Sequence, residues 1–371
     1  MPAQLNTDQW LQAVLRGEQD DCSELVKPEW SLIWQEAGEN GVIPLLQHCL
    51  SESGKWDSCP PFIQEQLAKY TYQAVATELA RQHDLKNTLE LFTQAGIQFL
   101  LMKGTPLAYS LYPEPYLRER CDTDILFSGK DEAESAWEIL EKLGYERRNT
   151  TSGEFVGYQF SCSRQISHGF YQALDIHNKL NDYQFFADTF SFEELYSKSV
   201  AVPEVSESSR AFHRVHALLH ACMHRVAHIP YGEGNRLIWL YDIHLLSASF
   251  SKEDWDEFCE LAKEKAIAGV CLDSLQTTQK CFHTAIDPVY LIDLQTSSKD
   301  EKISPHEKGK RWEFYYLAFK STPGVANKLK QLRGHLLPPT DYMIKKYQPR
   351  YRIQLPYLYI YRVIKGMKRY L

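Results

Sequence analysis

The feature that most constrains this chain is the run Ile97-Gln98-Phe99-Leu100-Leu101-Met102, which ends at Lys103-Gly104-Thr105 and is followed by Asp122-Thr123-Asp124. A short, mostly apolar run bounded by Gly96 and Gly104 reads as a buried strand ending in a turn. Thr105 then reads as the cap of a helix whose first turn holds Pro106, a residue tolerated there because its missing N–H would have been unpaired anyway. Such a strand-to-helix corner offers free backbone N–H groups and the positive end of a helix dipole, which suits an anion, most simply a phosphate chain. Lys103 adds a point charge there. The expected helix, Leu107 to Tyr112, is closed by Pro113 and Pro115, and strand character resumes from Cys121 to Phe127.

Residues two apart in a strand project from the same face, so Asp122 and Asp124 converge. Two such carboxylates repel unless a cation sits between them, and Mg²⁺ with retained waters is the expected occupant. A phosphoryl-transfer site with two metals needs more oxygen ligands than two side chains give. Asp175 supplies a third. In Tyr171 to His177 the alternation sets Asp175 and His177 on one face and Leu174 and Ile176 on the other, with a hairpin partner expected at Phe155 to Cys162.

The quoted residues resemble the bacterial nucleotidyltransferases of the DNA polymerase β superfamily, with their lysine-glycine turn, arginine, DxD strand and later DxH strand. The resemblance runs through Leu101-Met102-Lys103-Gly104, Tyr112-Pro113, Leu117-Arg118, Asp122 to Leu126 and Leu174 to His177. Leu219-His220 to His224 and Arg236 to Ile243 look like the family's helical segment. It implies an α+β fold, a polymerase-β-like mixed sheet with flanking helices. It also implies that Asp122, Asp124 and Asp175 hold Mg²⁺, two ions in all. Lys103, Gly104 and Thr105 would cradle a nucleoside triphosphate, ATP by default, with Arg118, His177 and Asp242 beside it. The implied reaction moves a nucleoside monophosphate to a hydroxyl-bearing acceptor and releases pyrophosphate, with Asp175 as general base. The acceptor is open: a small molecule, a peptide or protein, or an RNA end. A non-catalytic nucleotide-binding or regulatory protein on the same fold is the alternative, and the presence of all three carboxylates weighs against it.

Blander roles compete residue by residue. Arg118 sits where it could orient the carboxylates or meet a phosphate, or form an ordinary ion pair. His177 could fix the metal ligands or merely end a strand. Asp242 follows the apolar run Leu237 to Tyr241 and should be paired, with Arg236 the candidate partner. His213, His216, His220, His224 and His228 fall on one helical stripe. That spacing can bind zinc, as a metal-dependent hydrolase would, but without HExxH or a completing cysteine pair the expectation is polar packing beside a cleft.

The net charge of −7 argues against broad nucleic-acid binding. Nine scattered cysteines without CxxC suggest reduced thiols and a cytoplasmic setting. No signal peptide or membrane span is expected. Four regions follow: 1–95, helical; 96–205, the catalytic α/β module; 206–300, a helical domain closing the cleft, with a polar linker or exposed loop at Ser298 to Lys302; and 301–371, helical and basic-aromatic. In that tail Lys346, Arg350, Arg352, Arg362, Lys365 and Lys368 interleave with Tyr347, Tyr351, Tyr357, Tyr359 and Tyr361. RNA, an acidic partner or a membrane surface could use such a segment, but the expectation is aromatics packed inward and lysines in water.

Overall fold

The computed structural model describes residues 6–18, 22–148, 158–167, 169–301 and 311–370. Four helices come first: α1 (Thr7–Leu15), α2 (Lys27–Asn40), α3 (Ile43–Glu52) and the long α4 (Pro61–Gln94). Proline opens α4 and stands in the first turns of α2 and α3, where its missing N–H is harmless. The next strands are β1 (Phe99–Met102), β2 (Thr123–Phe127), β3 (Glu146–Arg147), β4 (Gln159–Ser167), β5 (Phe170–His177), β6 (Val200–Ala201) and β7 (Arg210–Ala211). They form one mixed seven-stranded sheet in the order β3-β4-β5-β2-β1-β7-β6. Four helices interleave with them: α5 (Gly104–Ser110), α6 (Lys130–Lys142), α7 (Gln184–Ala187) and α8 (Phe192–Ser197). Then follow α9 (Arg214–His228), α10 (Leu237–Ala248), α11 (Lys252–Glu264), α12 (Ala268–Phe282) and α13 (Pro288–Ser297). The chain closes with α14 (Arg311–Ser321), α15 (Val325–Leu336), α16 (Thr340–Tyr347) and α17 (Leu355–Tyr370).

The fold is α+β, a mixed sheet flanked by helices. Alternation along the central strands sorts their side chains into two layers. Leu101, Ile125, Phe127, Leu174 and Ile176 pack with Leu85, Leu89 and Phe92 of α4 and Leu140 of α6. Leu100, Met102 and Leu126 join the core of α9, α11 and α12 on the opposite face. Asp124 lies two residues before Leu126, so the face that carries the carboxylates is the one that α9 covers. The N-terminal helices α1 to α4 share a third core with Leu237, Ile238 and Leu240 of α10 and Phe282 of α12.

Several expectations need correction. Helix α5 starts at Gly104 with Lys103 as its N-cap, so Thr105 lies inside the first turn and does not cap it. Strand β2 starts at Thr123, one residue after Asp122. The hairpin partner of β5 is β4, Gln159–Ser167; Phe155 to Gly157 of the expected span lie outside the described residues. Of the expected linker or loop, Ser298–Asp300 is a short 3-10 helix and Lys302 lies outside the described residues. The thiols are not all free: Cys22 and Cys59 are joined as a disulfide with Cα atoms 5.1 Å apart, because the packing of the first helices brings together residues 37 positions apart. In the tail, Tyr347 and Tyr359 are partly buried, whereas Tyr351, Tyr357 and Tyr361 face solvent, since the side of α17 that meets the body carries Leu358, Tyr359 and Arg362. No helix among the described residues is long and apolar enough to cross a membrane.

Candidate active site

The site is assembled by strand register. Strand β1 runs antiparallel to β2 with Met102 opposite Asp124, and β2 runs parallel to β5 with Asp124 opposite Asp175 and Leu126 opposite His177. Three polar side chains therefore stand on adjacent strands of one face. One ligand-type atom from each of Asp124, Asp175 and His177 lies within 4.8 Å of the other two, so this trio could hold a metal ion. Asp122, just before β2, lines the same cavity.

Lys103 takes a positive φ of 59° with ψ −133°, a conformation glycine adopts freely and other residues adopt at a cost of about 1–3 kcal/mol. From that turn its Nζ reaches Asp124 Oδ1 at 2.5 Å, while His177 Nε2 lies 2.9 Å from the same oxygen. Burial disfavours the Asp124 anion, but Lys103 and His177 outweigh it and hold the carboxyl well below the usual carboxylate range. Asp122 makes no such hydrogen bonds among the described residues, and the more distant charges of Lys103 and Arg118 offset its burial only in part. Burial, then the like charges of Asp124 and Asp175, push it up to about 7.

Gly104 serves a purpose other than a left-handed turn. A Cβ there would lie 3.1 Å from Cζ and Nη1 of Arg118, so the missing side chain is what admits the guanidinium. Arg118 donates from Nε to Asp242 Oδ1 at 3.2 Å, from Nη2 to Asp242 Oδ2 at 2.6 Å and from Nη1 to the carbonyl of Glu119 at 2.7 Å. Tyr112 adds its hydroxyl to Asp242 at 2.8 Å. The partner of Asp242 is thus Arg118, not Arg236, whose guanidinium lies over the Trp239 ring at 5.1 Å. Thr105 does not line the cavity; its hydroxyl is buried against that of Thr123 at 3.0 Å.

The cavity has a volume of about 1230 Å³ and is bordered by Lys103, Gly104, Arg118, the three aspartates, His177 and Asp242. Its opposite wall is α9 and α10. His220, His224 and His228 line it, and His224 and His228 pack edge-on against Trp239 with ring centroids 4.5 and 4.9 Å away. Burial is the main cause lowering all three, His220 to about 3, so they stand uncharged at neutral pH. His216 packs instead against Phe190 at 5.2 Å. Of the expected stripe, His220, His224 and His228 therefore border the cleft, whereas His216 does not and His213 is the N-cap residue that precedes α9. One lining residue escaped the sequence reading. Arg120 pairs with Glu78 at 2.6 Å, and its buried Nε and Nη1 have no hydrogen-bond partner among the described residues. Its place two residues before Asp122 was the available signal.

No curated protein matches the chain. Residues 27–283, which include the three aspartates, Lys103, Gly104, Arg118, His177 and Asp242, match a family described as uncharacterised nucleotidyltransferase. Since that match spans more than half of the 371 residues, the chain belongs to this nucleotidyltransferase family and is a transferase enzyme acting on a nucleoside triphosphate.

Proposed function

We propose that the protein is a Mg²⁺-dependent nucleotidyltransferase that moves a nucleoside monophosphate from ATP to a hydroxyl-bearing acceptor and releases pyrophosphate. The observation that carries this reading is the excess of negative charge on one sheet face: Asp122, Asp124 and Asp175 converge there, and Lys103 is the only cation paired with them among the described residues. That excess, expressed in the raised Asp122, fits a divalent ion, and an oxygen-rich donor set suits Mg²⁺. Asp122, Asp124 and Asp175 would be its ligands, with His177 steadying Asp124 through the hydrogen bond it already makes. Bound there, the metal supplies charge neutralisation on the triphosphate and lowers the pKa of the acceptor hydroxyl.

The chain's own groups perform the rest. Lys103 turns from Asp124 toward a triphosphate oxygen, and Gly104 lets a phosphate approach the backbone. Arg120 offers its unpaired N–H groups to the same anion. Arg118 and Asp242 tie the turn to α10 and keep this wall rigid. Asp175 accepts the proton of the acceptor hydroxyl as its oxygen bonds to the α-phosphorus and the bond to the β-phosphate oxygen breaks. Pyrophosphate leaves. The histidine-tryptophan wall packs against the base. An ATP donor fits a cytoplasmic setting. Replacing Asp122 and Asp124 together by alanine tests the reading: pyrophosphate release and acceptor labelling at the wild-type rate by that variant would refute it.

A further inference from the structure

We propose that the C-terminal helical segment is a docking surface for an anionic lipid bilayer. Residues 311–371 carry 13 Lys and Arg against 2 Asp and Glu, a net +11, so the preceding 310 residues carry −18 of the chain's net −7. The modest overall charge conceals two strongly opposed parts. The basic part lies outside the span matched to the transferase family.

The second observation is which way α17 faces. Tyr357, Ile360, Tyr361 and Ile364 recur at helical spacing and form one apolar stripe, yet they are 68, 60, 41 and 47% exposed, and Ile353 just upstream is 87% exposed. A surface helix ordinarily turns its apolar stripe to the core. Here the opposite side packs on the end of α15 and the turn that follows it. The Tyr359 hydroxyl donates to the carbonyl of Pro338 at 2.8 Å, and Arg362 donates to the carbonyl of His335. Cations accompany the exposed stripe along the chain: Lys346, Arg350, Arg352 and Lys365 all face solvent, and Lys365 lies 5.8 Å from the centroid of the Tyr361 ring.

Charge complementarity requires an anionic partner, and the aliphatic side chains choose among anionic partners. Single-stranded RNA stacks on aromatic rings and pairs with cations, but has no use for Ile353, Ile360 and Ile364. The boundary between headgroups and acyl chains accepts all three classes: aliphatics enter the chains, tyrosines sit at headgroup level and Lys and Arg meet lipid phosphates. The helix lies on the bilayer and does not cross it, in keeping with the absence of any sufficiently long apolar helix among the described residues. Tyr342 and Arg362 of the same segment line the catalytic cavity, so the docking surface and the cleft share one helical unit.

Sedimentation of the full chain with vesicles tests this. Binding should be at least tenfold, on the order of what several surface cations supply, stronger to vesicles about one third phosphatidylglycerol than to phosphatidylcholine alone, and should weaken as salt is raised. Ile360→Asp with Ile364→Asp should reduce binding by at least ~10-fold. Arg352→Glu with Lys365→Glu should reduce it by at least ~25-fold, about fivefold per cation. Both pairs are solvent-exposed, and unchanged circular dichroism and wild-type pyrophosphate release would show the fold intact. Equal binding to both vesicle types, or none to either, overturns the proposal. So does tight binding of single-stranded RNA without vesicle binding, and so does a dimer in analytical ultracentrifugation that Ile360→Asp with Ile364→Asp dissolves while vesicles go unbound.

Discussion

Around Arg118 one guanidinium meets one carboxylate through two contacts, with Tyr112 and the Glu119 carbonyl completing the set, whereas around Asp124 three carboxylates share one ammonium and one imidazole. Both clusters border the same cavity. The first is closed: its charges cancel and its hydrogen bonds are made inside the protein. The second is open, with more negative charge than the chain neutralises. A buried charge group that is complete serves the fold, and one left incomplete in a cleft serves a ligand.

Removing charge from each cluster should separate these roles. Asp122→Asn with Asp175→Asn should lower the transfer rate on the order of 10³-fold, equivalent to ~4 kcal/mol of barrier, while stability of the metal-free protein in urea holds or rises because like charges are removed. A loss of stability as large as the loss of activity would erase the distinction. Asp242→Leu should do the reverse, costing about 3–5 kcal/mol in urea unfolding because it strands the Arg118 guanidinium, which is only 6% exposed. Adding Arg118→Leu should recover most of that, since a buried pair replaced by apolar side chains is often neutral. If the double variant folds but no longer binds ATP, Arg118 belongs to the nucleotide as well as to Asp242.

The open cluster also predicts a pH dependence. The folded pKa of Asp122, about 7, lies above its ordinary 3.8, so the unfolded chain ionises first. The metal-free protein therefore loses stability as pH rises from about 4 to about 7, by at most ~1.4 kcal/mol per unit from this group. Metal binding runs the other way. Below pH 7 a proton on Asp122 competes with the ion, so Mg²⁺ affinity measured by calorimetry should rise up to ~10-fold per unit and level off above. An affinity flat from pH 6 to 8 would remove Asp122 from the ligand set.

The open cluster was legible in the sequence and the closed one was not. Strands β1, β2 and β5 are local apolar runs, and alternation within each strand sets Asp175 beside His177 and Asp124 opposite the apolar Ile125; that β2 and β5 bring these faces together is a matter of register, which the resemblance implied. Helix α6, Lys130–Lys142, is equally local: Gly144 just beyond it takes φ 84°, the left-handed stop that glycine favours. The ion pair of Arg118 joins residues 124 apart, and proximity along the chain pointed to Arg236 instead. The same limit hid the Cys22–Cys59 bridge and the two-residue strands β6 and β7, which take their form from neighbours they pair with. The tail was legible in part for a related reason: Lys346 and Lys365 face water and Tyr347 and Tyr359 are partly buried as expected, but interleaving alone does not tell that Tyr351, Tyr357 and Tyr361 face outward.

The smallest predicted effect lies where the two clusters touch, at Gly104. Its backbone is not in the left-handed region; Lys103 holds the positive φ beside it. Gly104→Ala therefore acts through space alone, bringing a methyl to 3.1 Å from a guanidinium that Asp242 and Glu119 hold in place. The strain should cost about 1–2 kcal/mol in urea unfolding. In the background of Arg118→Leu with Asp242→Leu the guanidinium is gone, and the same substitution should cost less by roughly 1 kcal/mol, a coupling expected of groups in contact. Activity distinguishes what the glycine is for. If Gly104→Ala in that background still turns over at the rate of its parent, the glycine exists to admit Arg118, and the phosphate makes no demand on it. If stability is unaffected there but ATP binding falls, the close approach belongs to the triphosphate, and the closed cluster merely exploits a gap the open one requires.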